Sequence, residues 1–519
     1  MKRFINISFL SLVFAGMALT GCNDDLTTSS YVKVNDEDVL GNVSQLEKVL
    51  TSAYKQLYFN TDKGDRVYAG LPGFQISHTN MGGDQVTAYQ YSNSKTQADG
   101  NASKIWSMCY NVINRANIIL TNVDAAAGDE TQKKHIKGQA LAMRGIQYFH
   151  LIQNYQQTYA IAKSKRGVIL RTSSDDESHK GFSTVEEVYT QIVSDLTTAK
   201  TLLADYNPDD MWLINSKICS GILARVYLVM QNWDGAYNEA KIVYDQHSQL
   251  MTREQYRSGF DDMISGNYAE VVWAMKYTAD NNLGGSTQFN FWYNQDASYG
   301  EGYADGPIYS FLDYFVDEQF VKLFEEKEDR YQFWKRTNNA NTEINTKWAF
   351  DKYKHYGEDG GSVIQSATRP EVCLMRGAEM LLIMAEAAAQ KGNSGEALNL
   401  LNRLQVARNA TPTTNAGGEA LLEDIYVERR KELICEGQAG FYDLVRLQKR
   451  LVRIGESTTN PAGHYVWGMQ YLNGYNALDP QPIGTLESND YRFFCQIPQM
   501  EILNNDAISE SDQNPWSGQ

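Results

Sequence analysis

Amphipathic runs at helical spacing recur along this chain, commonly in pairs broken by a Gly, Asn or Asp turn, and that pattern leaves little room for anything but packed helical hairpins. The first run opens with Asn42 or Ser44 as its cap and carries Leu46, Val49, Leu50, Ala53 and Leu57 on one face. Similar runs occupy 103–124, 132–155, 184–204, 215–230, 233–246, 376–391 and 394–408. Between about 250 and 372, and again after 410, the periodicity weakens while Gly, Asn, Asp and aromatic residues rise. Irregular loops and short strands folded onto the helices are expected there. With 42% apolar residues and only 10 prolines in 519 residues, the chain has ample material for a core.

Two pairs share one scheme. Ser220-Gly221 through Leu228, then Asn232-Trp233, Ala236 and Ala240, puts small residues where two helices cross closely. Glu379 to Leu382 with Ala385, Gly392-Asn393 and Ala397 repeats it. This is the packing logic of tetratricopeptide hairpins, although the copies are not tandem at a fixed period. Repeat scaffolds bind partners more often than they catalyse.

The amino terminus reads as a secretory signal: Lys2 and Arg3, an apolar run from Phe4 to Ala18, then Leu19-Thr20-Gly21-Cys22. The Leu-x-Gly-Cys shoulder resembles the lipobox of bacterial lipoproteins, which predicts residues 1–21 as a removed signal and Cys22 as the acylated first residue of the mature protein. Residues 22–40 are polar and would form a flexible tether reaching roughly 60 Å when extended. Asp24 and Asp25 resemble the acidic signal that sends some lipoproteins to the outer surface. The body, 41–519, divides into a helical scaffold, mainly 41–248 and 370–410, and a loop-rich ligand region, mainly 249–369 and 411–519.

A net charge of -16 argues against nucleic acid, whose phosphates need a basic face. Cys22 apart, the widely spaced Cys109, Cys219, Cys373, Cys435 and Cys495, without any C-x-x-C, indicate neither a disulfide scaffold nor a zinc site and read as buried packing residues. No cofactor or metal is implied: nucleotide-binding glycine motifs, a nucleophile elbow and a zinc helix are all missing, and Asp280-Asn281-Asn282 lacks calcium-ligand spacing. The one segment that invites a catalytic reading is Glu428 to Glu436. On a helix Glu428 and Glu432, and again Glu432 and Glu436, lie four apart, as paired acid-base carboxylates would. Arg429, Arg430 and Lys431 alternate with them, however, and the reading adopted is a structural ion-pair network between helices, as are Asp443 and Arg446. No enzyme activity is expected, although abundant anonymous carboxylates leave a glycan-degrading lipoprotein as an alternative.

Several stretches, in order, resemble signatures of the SusD/RagB family of outer-membrane nutrient-binding lipoproteins. After the lipobox come Gln139 to Phe149 around Arg144, Leu223 to Trp233 around Arg225, and Arg376 to Ala387, similar to R-x-A-E-x-L-L-x-x-A-E-A. Glu428-Arg429-Arg430-Lys431-Glu432-Leu433, Glu436-Gly437 and Phe441 to Arg446 follow, and the chain ends with Gln496-Ile497-Pro498, Glu501-Ile502, Asn505 and Asp512 to Pro515. The loop Tyr155 to Ala160 departs from the family's Tyr-Gly-x-x-Pro turn, lacking both glycine and proline. The resemblance implies a mainly α fold with four tetratricopeptide-like helix pairs and a variable loop-rich insertion region with short strands that carries the ligand site. It also implies a lipid-anchored protein of the outer membrane facing the exterior, and a partner, the SusC-like TonB-dependent transporter barrel, to which captured oligosaccharide or polysaccharide is delivered. Oligopeptide capture is the alternative within the family.

A sugar ring packs its C–H face on an aromatic while its hydroxyls need planar polar partners. The densest such mixture is Gln288 to Asp296, with Trp292, Tyr293 and Asn294, followed by Tyr299 and Tyr303. If Phe289 to Tyr293 is extended, Trp292 points away from Phe289, Phe291 and Tyr293. The second candidate is Asn80 to Gln85, with Asp84 and Gln85, continued by Tyr89 and Tyr91. Tyr465, Trp467 and Tyr471 form a weaker third. In each case the competing reading is that the rings pack into the core.

Overall fold

A computed structural model describes residues 40–60, 76–78, 100–176, 178–257, 260, 263–276, 314–336, 348–350, 352, 371–434, 436, 440–455 and 484–515. Its long helices fall where the apolar spacing put them: α1 Val43–Asn60, α2 Gly100–Asn122, α3 Glu130–Tyr155, a short α4 Tyr159–Ala162, α5 Val185–Leu202, α6 Ser216–Val229 and α7 Trp233–Tyr244. Each start has a local cause. Asn42 Oδ1 accepts from Gln45 N–H at 3.1 Å, Asp129 caps α3, Thr184 and Glu187 form a reciprocal capping box on α5, and Asn215 and Asn232 cap α6 and α7.

After a short α8 Arg253–Arg257 the chain enters its strands: β1 Ile76–His78 from earlier in the sequence, β2 Val271–Lys276, β3 Tyr314–Val316, β4 Trp334–Arg336, β5 Trp348–Phe350 and β6 Glu371–Arg376, with α9 Glu318–Val321 between β3 and β4. The helical array resumes with α10 Gly377–Gln390, α11 Ser394–Ala407 and α12 Gly418–Glu432, then α13 Phe441–Arg446, β7 Leu451–Arg453, β8 Gly484–Leu486 and α14 Gln499–Asn504. Strand order in the larger sheet is β1-β3-β5-β4, while β2 pairs with β6 and β7 with β8, all antiparallel.

Helices pack as a chain of neighbours, α1 on α2, α2 on α3, α3 on α5, α5 on α6, α6 on α7, α7 on α10, and α10 on both α11 and α12. Close crossings use small residues: Gly138 and Gly145 of α3 admit Leu203 and Leu196 from α5 and the turn after it. Helix α10 lies at the centre, buried from Gly377 to Ala388. Cys109, Cys219, Cys373 and Cys495 are buried thiols outside any disulfide, and burial pushes Cys219 up to about 12. Cys435 lies outside the described residues.

The scaffold continues past 410, where the sequence suggested loops, because α12 is a regular helix of fifteen residues. Leu421, Ile425 and Tyr426 are buried on its first turns, but the buried run that follows, Glu428 to Glu432, is charged, so the apolar spacing lasts barely more than one turn.

The last segment is stitched back onto the first half of the chain. Asn514 Nδ2 donates to the carbonyls of Tyr155 (2.8 Å) and Cys495 (2.7 Å), and Cys495 N–H donates to Asn154 O at 2.8 Å. Trp106 Nε1 reaches Glu501 Oε2 at 3.2 Å, and Asn505 Nδ2 reaches Lys180 O at 2.9 Å. The terminal Gln-Asn-Pro signature is thereby a clasp on the end of α3.

Candidate functional site

The residues nominated for the ligand, Trp292, Tyr293, Asn294, Tyr299 and Tyr303 and the group Asp84, Gln85, Tyr89 and Tyr91, lie outside the described residues, as do Trp467, its flanking tyrosines and Cys22. What the structure gives is where those segments are rooted. In the β1–β3 ladder His78 pairs with Tyr314 and Ile76 with Val316. The chain leaves β1 after His78 toward Asp84 and enters β3 at Tyr314 having come from Trp292. Both nominated segments therefore attach at the same end of one antiparallel ladder, a pairing between distant parts of the sequence that no local pattern announces.

That ladder is fixed to the scaffold by an aromatic cluster and by charge. Phe320, Phe324 and Trp334 meet edge to face with centroids 5.1–5.9 Å apart, and Trp348 Nε1 donates to Glu318 Oε2 at 2.9 Å. From α12 the Arg430 guanidinium lies 5.2 Å over the Phe320 ring.

Beneath it sits a cluster of ionised side chains. Glu432 accepts from Arg376 Nη1 at 2.6 Å, Arg408 Nη2 at 2.9 Å and Arg330 Nη1 at 3.0 Å. Glu270 shares Arg376 (2.7 Å) and Arg408 (3.2 Å), and Glu436 holds Arg376 Nε at 2.6 Å and the Lys352 ammonium. Arg330 Nη1 also lies 2.6 Å from Glu428 Oε1, and Glu328 pairs with Arg330 and Lys431. Among the described residues five cations (Arg330, Arg376, Arg408, Lys352, Lys431) thus meet five carboxylates (Glu270, Glu328, Glu428, Glu432, Glu436). Burial alone would raise Glu432, yet Arg408, Arg376 and Arg330 hold its carboxyl well below the usual carboxylate range. Glu436 is lowered against its own burial by Arg376 and Lys352.

These carboxylates cannot do acid-base work on a substrate. Glu428, Glu432 and Glu436 are 2, 0 and 7% exposed, and Glu432 and Glu436 are held ionised by fixed partners. The structural-network reading of Glu428 to Glu436 agrees with this geometry. The other signature charges pair with one another too. Arg225 of α6 grips Glu379 of α10 through two bonds (2.7 and 2.6 Å), Arg446 grips Glu386 of α10 (2.5 and 2.7 Å), and Asp443 takes Arg446 (2.7 Å) and Arg429 (3.1 Å). Arg144 of α3 is likewise bidentate to Asp195 of α5 (2.8 and 2.7 Å). Sequence reading missed Glu270, Glu328, Arg330, Lys352 and Arg408 as members, since none stands in a motif and Glu328 and Arg330 sit in a charged run, Glu325 to Arg330, of the kind that is ordinarily solvated.

Because the folded values of Glu432, Glu436 and Asp443 are depressed, their stabilising contribution is complete above the unfolded carboxylate range near pH 4 and is lost as pH falls toward the folded values. Thermal melts followed by circular dichroism should show a melting temperature insensitive to these three groups at pH 5 and above and dropping steeply below about pH 4. A melting temperature unchanged to pH 3 would contradict the assignment.

Cavities around the departing Tyr155 to Ala160 loop are small. One of about 10 Å³ is lined by Gln153, Gln156, Gln157, Thr158, Tyr442 and Arg446 among others, space for one water. No helix among the described residues is long and apolar enough to cross a membrane, and no group of metal-binding side chains occurs among them.

Comparison with known proteins bears on the whole length. Residues 27–228 match the family described as SusD-like, starch-binding associating with outer membrane, and residues 324–516 match the SusD family. The SusD-like protein P2 of Formosa agariphila is 24% identical over 98% of this chain and 99% of its own. The crystal structure of a SusD-like carbohydrate binding protein from Bacteroides vulgatus is similar with a TM-score of 0.75 and 27% identity, covering 92% of this chain and 99% of that one. A SusD superfamily protein from Bacteroides thetaiotaomicron gives 0.74 and 25% over 92% and 100%. With the signature charges paired in a common core and both halves matched in order, the chain belongs to the SusD/RagB family, whose description places it in association with the outer membrane.

Proposed function

We propose that this protein is a cell-surface glycan-binding lipoprotein, anchored in the outer membrane through Cys22, that captures oligosaccharides without turning them over and delivers them to a SusC-like TonB-dependent transporter. The observation that carries the reading is the likeness, over nearly the full length of both chains, to a SusD-like carbohydrate binding protein. Support for a shared ligand site comes from the common root of the two aromatic-rich segments at His78 and Tyr314. In this reading Trp292, Tyr293, Asn294, Tyr299 and Tyr303 face the same ligand as Asp84, Gln85, Tyr89 and Tyr91.

Titration calorimetry of the protein made without its signal and Cys22, against soluble polysaccharides and oligopeptides, tests this. Saccharide binding with a dissociation constant between roughly micromolar and millimolar is expected, as a few stacked rings and hydrogen bonds supply about 4–8 kcal/mol. Trp292→Ala should weaken it by at least about tenfold, the loss of roughly 1.4 kcal/mol of stacking. Binding of peptides alone, or slow release of cleaved sugar, would replace glycan capture by oligopeptide capture or by hydrolysis.

A further inference from the structure

The joint between β3 and α9 contains a buried acid that the ion-pair network does not use. Asp317 follows Val316, the last residue of β3, and precedes α9; it is 5% exposed, and its Oδ1 has no hydrogen-bond partner. Its carbonyl accepts from Phe320 N–H at 3.0 Å, its carboxyl feels the charge of Arg430, whose guanidinium lies over the Phe320 ring and, at 5.5 Å, over Tyr426, and its chain neighbour Glu318 has a carboxylate engaged by Trp348 of β5. Asp317 thus stands where the four-stranded sheet meets α12. An incompletely satisfied carboxylate in such a place costs free energy that a neutral carboxyl does not. We propose that Asp317 is a protonation-sensitive latch at the joint of β3 with α12, holding the root of the 277–313 segment more firmly when its carboxyl is neutral.

Charge and burial agree on the direction. Burial pushes the Asp317 carboxyl up to about 7, the first-turn amides of Gln319 and Phe320 and the charge of Arg430 pull the other way, and Glu318 pushes up. Arg430 is itself lowered by burial to about 10, with Tyr426, Glu423 and Asp317 supporting its charge, so it stays cationic through neutrality. The acid is raised rather than depressed, so the closed joint binds a proton that the open joint releases. Closure is strongest below about pH 4–5, weakens as pH rises, and is weakest above about 7. The consequence for capture rests on the proposed function, since the chain that returns at Tyr314 carries Trp292. The latch itself does not depend on it.

Amide hydrogen exchange of the full folded chain, corrected for intrinsic rates, reads the latch without any saccharide, so its outcome is separate from that of the calorimetry. Protection of the amides from Val316 to Leu323 should fall about tenfold between pH 6 and 8.5, the change expected for one carboxyl shifted from about 4 to about 7. Amides of α6 should not follow. In Asp317→Asn the dependence should vanish, with protection at pH 8.5 at or above that of the parent at pH 6. Arg430→Gln removes the nearby cation and should move the midpoint of the parent's transition to higher pH, which decides the matter if the asparagine variant does not fold. A parent profile flat across this range, an equal slope in Asp317→Asn, or a midpoint in Arg430→Gln that stays or falls would overturn the latch.

Discussion

Replacing Glu432 with glutamine is expected to lower the unfolding free energy by about 3–5 kcal/mol, the range for removing one partner of a buried ion pair. The substitution barely changes volume, so the loss comes from charge. Three guanidinium groups, all essentially unexposed, point at this carboxylate, and the cluster is balanced only with it present. Glutamine would leave one positive charge uncompensated and turn an amide N–H₂ toward donors that accept nothing. Urea unfolding followed by fluorescence gives the midpoint, and a destabilisation under 1 kcal/mol would mean that the network is replaceable. Conversion of the whole group to apolar residues of similar volume is a different experiment, in which the cost of desolvating ten charges disappears together with their attraction.

A second large effect is expected at Gly377, where β6 turns directly into α10. Its N–H donates to Glu270 O at 2.8 Å, and a Cβ built on it would press into the backbone carbonyl oxygen of His247. A carbonyl held by its own chain cannot rotate aside as a side chain would, so Gly377→Ala should destabilise by about 3 kcal/mol, the upper part of the range for overpacking. Gly395 in α11 is the control, because nothing lies within 4 Å of its Cβ position. Gly395→Ala should be neutral or stabilising by up to about 1 kcal/mol. If the two alanine variants unfold at the same denaturant concentration, the close approach of His247 to Gly377 is not a feature of the native protein.

The parts of this fold that could be read in advance are those whose cause is local. Leu46, Leu50, Ala53 and Leu57 repeat with the helical period, and α1 is buried on that side; the caps at Asn42, Asn215 and Asn232 likewise act within one turn. The extent of helix α12 stayed hidden because only Leu421 and Ile425 repeat at helical spacing before the buried run turns charged at Glu428 to Glu432, and charges carry no hydrophobic signal. Its partners were hidden for a second reason. Arg330 and Lys352 come from loop-rich sequence, and only the tertiary fold tells a buried cation from the solvated ones around it. The candidate ligand segments were chosen by composition, which says what a residue could touch and not where it stands. Their common root depends on His78 meeting Tyr314, a register set by three-residue strands too short to show alternation.

The clasp formed by the end of the chain also constrains the order in which the protein can be made. Asn154, Tyr155 and Lys180 wait for partners at Cys495, Asn505 and Asn514. Helix α3 is synthesised early, yet contacts that cover its far end come from residues made much later, Asn514 being 359 positions beyond Tyr155. Such a chain has no complete intermediate to pause in: its first helices can assemble, but the seam at Tyr155 stays open until Asn514 has been made, and contacts of this sequence separation slow folding. A product cut short before Asn514 would carry nearly every helix of the scaffold and still present that open seam, a mark by which proteolysis can tell an unfinished molecule from a finished one.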